Sequence, residues 1–158
     1  MKICLECAEG GHLDEMLAVL PAFSSHEIFF VTTKAHSSLA LADQYKVYFV
    51  RRERNVRTKP GVYFFEVFYM LKLFVMVPFI LLHEKPQAVV STGGGATIPL
   101  YCWGKLLNIV TVYISSLTRI EELSGTGKIV YPLADVFLVQ WEALCEKYPK
   151  AKYWGKVI

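Results

Sequence analysis

Two glycine-bearing segments of the sequence have the residue types of an anion-binding site. The first is Gly10-Gly11-His12, shortly after an apolar run at 2–7, and the second is Thr92-Gly93-Gly94-Gly95, after an apolar run at 87–91. A strand that ends in glycine and leads into a helix leaves backbone N–H groups free for a bound phosphate. Neither segment has the GxGxxG pattern or the P-loop pattern GxxxxGK followed by Ser or Thr. The sequence therefore predicts no dinucleotide cofactor and no ATP site.

His12 is the first candidate for a catalytic group. It is expected at the first turn of a helix, where the helix dipole disfavours the imidazolium and leaves a neutral ring that can exchange a proton with a bound hydroxyl. A histidine that only caps or packs the turn explains the same position. Glu9 is the nearest carboxylate in the sequence, and it can be either a second candidate base or a surface residue.

A hydroxyl-rich segment at 115–128 supplies two further candidates, Arg119 and Lys128. Their side chains can donate charge-assisted hydrogen bonds to a diphosphate. An exposed polar loop or short helix accounts for the same composition. The chain has no HExxH motif, no DxD-like pair of carboxylates and no Ser-His-Asp order, so we predict no metal site.

The elements that must position these residues alternate between strands and helices. Apolar β-branched or aromatic runs predict strands at 2–7, 27–32, 46–50, 87–91, 109–115 and 135–140, and helical patterns fall at 12–23, 34–44, 61–82, 96–107 and 141–148. This alternation predicts an α/β fold with a Rossmann-like, doubly wound parallel sheet. No linker divides the 158 residues, so we predict one domain over 1–158.

Composition excludes several classes of protein. A net charge of +3 is too small to indicate nucleic-acid binding. The four cysteines do not form a disulfide framework, and Cys4 and Cys7 lie within a predicted strand, where core packing is expected rather than redox or metal chemistry. The first residues lead directly into a strand, so we expect no signal peptide and reduced thiols on the cytoplasmic side.

The segment 51–82 combines a basic loop with a long apolar helix. Residues 51–59 carry five positive charges and one negative charge, and 61–82 are apolar apart from a few positions. Spanning a bilayer would divide one sheet between two sides of the membrane, so we predict a helix in the membrane interface, with the basic loop on lipid headgroups. A buried core helix or a partner interface is the alternative. The candidate membrane residues are Arg51, Arg52, Arg54, Arg57, Phe64, Phe65, Phe68, Leu71 and Phe74.

The sequence resembles the membrane-associated, acceptor-side subunits of two-part glycosyltransferases with the GT-B fold. One branch anchors the eukaryotic dolichol-linked N-acetylglucosamine transferase, and the other comprises enhancer subunits of bacterial capsule and exopolysaccharide glycosyltransferases. The resemblance covers nearly the whole chain. It rests on both glycine segments, Ile98-Pro99, Leu123-Ser124-Gly125-Thr126-Gly127-Lys128, Ala134-Asp135, Val139-Gln140-Trp141 and Tyr148-Pro149-Lys150-Ala151.

The resemblance implies the N-terminal half of a GT-B enzyme, seated on the cytoplasmic face of the membrane near a polyprenyl-diphosphate-linked acceptor. It implies a partner, namely a second Rossmann-like chain that binds the UDP-sugar. At Ser115 the eukaryotic branch has a glutamate, which favours acceptor binding over independent catalysis. We therefore expect an acceptor-binding subunit of a heteromeric UDP-sugar glycosyltransferase in surface polysaccharide synthesis. A non-catalytic scaffold that recruits the catalytic subunit and a standalone nucleotide-binding enzyme remain as alternatives.

Overall fold

The seven strands of the described residues lie in one parallel sheet, in the order β3-β2-β1-β4-β5-β6-β7. The computed structural model describes residues 1–50 and 62–157, and for 62–66 it describes the backbone alone. The strands are β1 (Lys2–Cys7), β2 (Glu27–Thr32), β3 (Lys46–Phe49), β4 (Ala88–Gly93), β5 (Val110–Ile114), β6 (Val136–Val139) and β7 (Ala151–Tyr153). The helices are α1 (Gly11–Val19), α2 (His36–Leu39), α3 (Val62–Glu84), α4 (Thr97–Leu106), α5 (Gly125–Val130) and α6 (Ala143–Lys147). This is the strand order of a doubly wound Rossmann-like fold, with its topological switch point between β1 and β4. The predicted fold class is confirmed.

The predicted strands match the observed ones because buried parallel strands need continuous apolar runs. β7 was not predicted, since it has only three residues and two of them are exposed. The first predicted helix changes to a 3₁₀ turn at Leu20–Phe23, where Pro21 has no N–H to continue the α-helical pattern. In the hydroxyl-rich segment the structure has a short helix, α5. Its N-cap is Ser124, whose hydroxyl accepts a hydrogen bond from the Gly127 N–H.

Two hydrophobic clusters cover the two faces of the sheet. One contains Val77 of α3 and Leu100 of α4, and the other contains Leu13 and Met16 of α1. Cys4 belongs to the first cluster and Cys7 to the second, and both are buried. Because side chains three apart in a strand point to opposite faces, the two thiols cannot bind one metal ion together.

Helix α3 has two different apolar faces. Its buried face consists of Leu73, Val77, Ile80 and Leu81, which pack into the core of the sheet. Its exposed face consists of Val67, Phe68, Leu71, Val75, Phe79 and Leu82. By length and composition alone, Val67–Glu84 could cross a membrane. The core-helix alternative therefore describes one side of α3, and the other side needs a different explanation.

The C-terminal end of α3 is tied to the sheet by a buried carboxylate. Glu84 is 1% exposed at its side chain and forms ion pairs with Lys2 of β1 (2.7 Å) and Lys46 of β3 (2.5 Å), and it accepts a hydrogen bond from the Tyr48 hydroxyl. Burial raises the pKa of this carboxyl, but the hydrogen bonds from both lysines and the tyrosine outweigh burial and lower the pKa to about 2. Glu84 therefore fixes where α3 leaves the sheet.

Candidate functional site

The two glycine segments meet at the switch point of the sheet. β1 and β4 are neighbours, so both segments lie at the carboxyl ends of adjacent strands. The Ala8 N–H donates to the Gly93 carbonyl (2.9 Å), and the Thr92 hydroxyl donates to the His12 carbonyl (2.7 Å). In doubly wound folds, ligands bind outside the carboxyl ends of the strands at this point. The structure therefore brings the predicted phosphate-binding segments together.

His12 packs on Gly93, and this contact requires glycine. Gly93 has φ +115°, and a Cβ placed on it would lie 3.0 Å from His12 Cε1 and 3.3 Å from Tyr113 Oη. The backbone conformation and the close imidazole both exclude a side chain. The His12 side chain is 38% exposed, so the ring remains accessible beside the glycine turn.

A buried carboxylate, Glu6, lies directly under the second glycine segment. Its Oε2 accepts hydrogen bonds from the Ser91 hydroxyl (2.5 Å) and the Thr97 hydroxyl (2.7 Å). A Cβ on Gly94 would lie 2.2 Å from Glu6 Oε1, so the carboxylate occupies the space that a side chain would need. Burial raises the pKa of Glu6 to about 7, although hydrogen bonds from Ser91, Thr97 and the Ala96 backbone lower it in part.

Sequence reasoning missed Glu6 as a site residue. The signal was present, because a glutamate stands within the apolar strand Lys2–Cys7, where a charged residue is costly unless it has partners. The partners lie about ninety residues away, in β4 and α4. Only the folded chain brings them to Glu6.

The N–H groups of the second segment are not all free. The Gly93 N–H donates to Ser91 Oγ and the Gly94 N–H donates to Thr97 Oγ1, both at 2.9 Å. At the first segment, Gly10 precedes α1, so the N–H groups of Gly11 and His12 belong to the first turn and have no acceptor within the helix. The N–H groups of Gly11 and His12 at the N-terminus of α1 are therefore available to an anion.

The carboxylate beside the imidazole is Glu15, three residues later on α1, which sequence reasoning also missed. Its Oε2 lies 3.9 Å from His12 Nδ1. Its Oε1 accepts hydrogen bonds from the Leu117 N–H (2.7 Å) and the Ser116 hydroxyl (2.9 Å). Glu9, the carboxylate that the sequence indicated, lies at the end of β1, where its N–H donates to Thr33 Oγ1.

The two predicted basic residues differ in their surroundings. Burial raises the pKa of the Tyr113 hydroxyl, which lies beside Gly93, although a hydrogen bond with Ser124 and the positive charge of Arg119 lower it in part. Lys128 instead forms an exposed ion pair with Glu122 (2.7 Å), which also binds Lys147 (2.8 Å). Arg119 thus belongs to the loop that contacts Glu15, through its N–H donated to the Ser116 carbonyl (3.0 Å), whereas Lys128 is paired with Glu122.

The candidate membrane residues are only partly within the described region. Phe68 and Leu71 are exposed on α3, and Phe74 is half-buried, with its carbonyl accepting the Trp103 indole N–H (2.9 Å). The arginines at 51, 52, 54 and 57 and the side chains of Phe64 and Phe65 lie outside the described residues.

The seven-stranded Rossmann-like sheet, with glycine segments at its switch point, has the fold of one half of a GT-B-type protein. Solved structures agree. The chain is similar to MurG from Acinetobacter baumannii, with a TM-score of 0.70 and 19% identity over 90% of this chain and 42% of that one. It is also similar to UDP-N-acetylglucosamine 2-epimerase from Rickettsia bellii, with a TM-score of 0.70 and 15% identity over 99% of this chain and 45% of that one. The chain thus spans less than half the length of these proteins, and the likeness shows the fold.

Sequence comparison identifies the family. Residues 3–157 match the family described as "Oligosaccharide biosynthesis protein Alg14 like". The human UDP-N-acetylglucosamine transferase subunit ALG14 is 32% identical, with the match covering 100% of this chain and 83% of the human protein. The Candida albicans subunit of the same name is 27% identical over 99% of this chain and 81% of its own. The chain therefore belongs to the Alg14-like family, which confirms the resemblance seen in the sequence.

Proposed function

We propose that this chain is the acceptor-side, membrane-seated subunit of a heteromeric glycosyltransferase that transfers a sugar from a UDP-sugar to a polyprenyl-diphosphate-linked acceptor in surface polysaccharide synthesis. Membership of an oligosaccharide biosynthesis family and the transferase subunit named in its relatives support the glycosyltransferase-subunit part of this proposal. The observation that carries the proposal is the accessible imidazole of His12, which follows Gly10-Gly11 and packs on Gly93 of the second glycine segment.

In the proposed reaction, His12 is the general base. The acceptor hydroxyl gives its proton to His12 Nε2, and its oxygen forms a bond to the anomeric carbon of the sugar. The bond from that carbon to the β-phosphate oxygen breaks, and UDP leaves with the electron pair. This direct displacement inverts the anomeric centre, and a positioned base of this kind contributes roughly a hundredfold or more to the rate.

We place the acceptor diphosphate over the N-terminus of α1. The N–H groups of Gly11 and His12 are available there, whereas those of Gly93 and Gly94 already have acceptors. The ionised form of Glu6 would also repel an anion seated directly on Gly94, since the carboxylate lies against this residue. Arg119 supplies positive charge near the same edge.

The exposed face of α3 supports the membrane part of the proposal. Six large apolar side chains lie on this face of the helix and are more than half exposed. Unpartnered apolar patches of this kind mark membrane or protein contacts. The basic residues at 51, 52, 54 and 57 precede α3 in the sequence and would meet anionic headgroups on the cytoplasmic face.

The test is reconstitution of the complex. The chain is purified alone and with a donor-binding glycosyltransferase subunit, and each sample is given a polyprenyl-diphosphate-linked sugar and a panel of UDP-sugars. We expect turnover only with the partner present. Turnover by the chain alone would favour the standalone enzyme.

Two substitutions separate catalysis from recruitment. His12→Gln should lower kcat about a hundredfold in the complex. Gly11→Ala should weaken acceptor binding with little effect on folding, because a Cβ at Gly11 meets open space in the free chain. The control is Gly125→Ala, where a Cβ also meets nothing within 4 Å. A scaffold that only recruits its partner would keep full activity in all three variants.

A further inference from the structure

Two buried polar atoms at the site face each other without a hydrogen bond. Within the described part of the chain, His12 Nδ1 and Glu15 Oε2 are both buried and have no hydrogen-bond partner. They are 3.9 Å apart, which is too far for a hydrogen bond and too close for a water molecule to lie between them. A buried polar atom without a partner is destabilising, so two of them on adjoining side chains need a reason.

The position of Glu15 is set by contacts that do not involve His12. Its Oε1 accepts from the Leu117 N–H and the Ser116 hydroxyl, and Gln140 Nε2 lies 3.5 Å away. Gln140 is itself fixed, because it donates to the Ser115 carbonyl (3.0 Å) and accepts from the Val157 N–H (2.8 Å). One carboxylate oxygen is therefore used to hold the loop after β5, and the other is left directed at the imidazole.

The imidazole also packs on Gly93. A Cβ on Gly93 would lie 3.0 Å from Cε1 and 3.2 Å from Nδ1, and Nδ1 is buried, so the exposed part of the ring is on the Nε2 side. A proton on Nδ1, facing the carboxylate, would leave Nε2 as the accessible acceptor. Hydrogen bonds of catalytic groups are often long in the absence of substrate and shorten when it binds.

We infer that Glu15 is the positioning residue of His12: its Oε2 selects the tautomer with the proton on Nδ1 and stabilises the imidazolium that forms when Nε2 takes the acceptor proton. This inference rests on the proposed function, in which His12 is the base. Glu15 itself touches no substrate. It acts as the carboxylate does in other base–carboxylate pairs, by fixing the orientation and tautomer of the ring.

The variant Glu15→Gln tests the inference because it preserves the shape of the side chain. Its amide oxygen can still accept from Leu117 and Ser116, while its NH₂ group would donate to Nδ1 and force the proton onto Nε2. In the purified complex we expect kcat to fall about a hundredfold. The KM for UDP-N-acetylglucosamine, the donor named for the human relative, should be nearly unchanged.

The direct readout is the tautomer. The chain has four histidines, so ¹⁵N-histidine labelling of the complex gives few signals, and His12→Gln assigns the one of interest. We expect the Nδ1–H tautomer in the wild-type complex and the Nε2–H tautomer in Glu15→Gln. Ser116→Ala removes a donor to Oε1 and the contacts of this hydroxyl with Thr118, but it leaves Oε2 unchanged. It should therefore keep the wild-type tautomer and most of the activity, as should the exposed control Glu146→Gln.

An unchanged tautomer in Glu15→Gln would overturn the inference and leave Glu15 as a structural tie for the loop. The same holds if Ser116→Ala and Glu15→Gln lose activity equally. If His12→Gln is fully active but the tautomer still depends on Glu15, the pairing stands and the role of His12 as base in the proposed function fails. The two failures are therefore distinguishable.

Discussion

At the scale of single residues, the site depends on side chains that occupy the positions where a Cβ on a glycine would lie. From the sequence, a tight turn is reason enough for glycine at position 94. The structure gives a more specific reason for this glycine. The Glu6 carboxylate lies where its Cβ would be. Gly94 and Glu6 should therefore behave as a coupled pair.

Gly94→Ala is expected to lower the free energy of unfolding by roughly 1–3 kcal/mol, because the new methyl group overlaps a fully buried carboxylate. Glu6→Ser opens this space, so the double variant should lose less than the sum of the two single variants. Denaturant titration of all three proteins, with Gly125→Ala as the control, measures the coupling. Strictly additive losses would show that Gly94 and Glu6 do not compete for space.

At the scale of elements, α3 packs on the core with one side and exposes a second apolar side. The helix is held to the sheet by its buried leucines and isoleucine and by Glu84, so its exposed face has a fixed orientation. The sequence of α3 does not indicate which side of the helix is buried, because both sides are apolar. The outward side chains should carry the membrane contact.

Replacing Phe68, Leu71, Val75 and Phe79 together with glutamine should reduce binding to vesicles of phosphatidylglycerol and phosphatidylethanolamine by at least about tenfold, because apolar area drives interfacial insertion. Flotation of the chain with these vesicles measures the loss. Ile120→Gln and Ile129→Gln, at exposed positions away from α3, are the controls. Equal flotation of the α3 variant and the wild type would instead assign this face to a protein partner.

At the scale of the whole molecule, the buried charge of Glu6 makes stability depend on pH. Its pKa is raised from 4.5 to about 7 on folding, so the folded chain holds the proton more tightly than the unfolded chain. This contribution to the free energy of unfolding, about 3 kcal/mol, is fully present below pH 4.5 and is lost as the pH rises to about 7. The lowered pKa of Glu84 acts in a separate range, below pH 4.5.

Glu6→Gln should therefore remove most of the fall in the free energy of unfolding between pH 5 and pH 8. Urea titrations of the full chain in a mild detergent, at both pH values, measure this difference for the variant and the wild type. Glu122→Gln is a suitable control, because Glu122 is exposed and its pKa lies near 2, outside this range. A wild-type pH dependence retained in Glu6→Gln would show that another group is responsible.

The sequence by itself determined the sheet, the two glycine segments and the family. Strands in a parallel sheet are buried on both faces and read as apolar runs, and the glycine turns follow directly from two of those runs. These are local signals, each carried within a few neighbouring residues. They were sufficient for the fold class and for placing His12 next to a turn.

Only the tertiary structure decided which side chains share the site. Glu6 meets Ser91 and Thr97, and Glu15 meets Ser116 and Leu117, across separations of about ninety to one hundred residues. No local pattern reports such contacts, because they arise from the strand order that sets β4 beside β1 and β5 beside β4. The packing of α3 on the sheet also decided which of its apolar faces is buried and which is exposed. A helix that is apolar on all sides does not show this in its sequence.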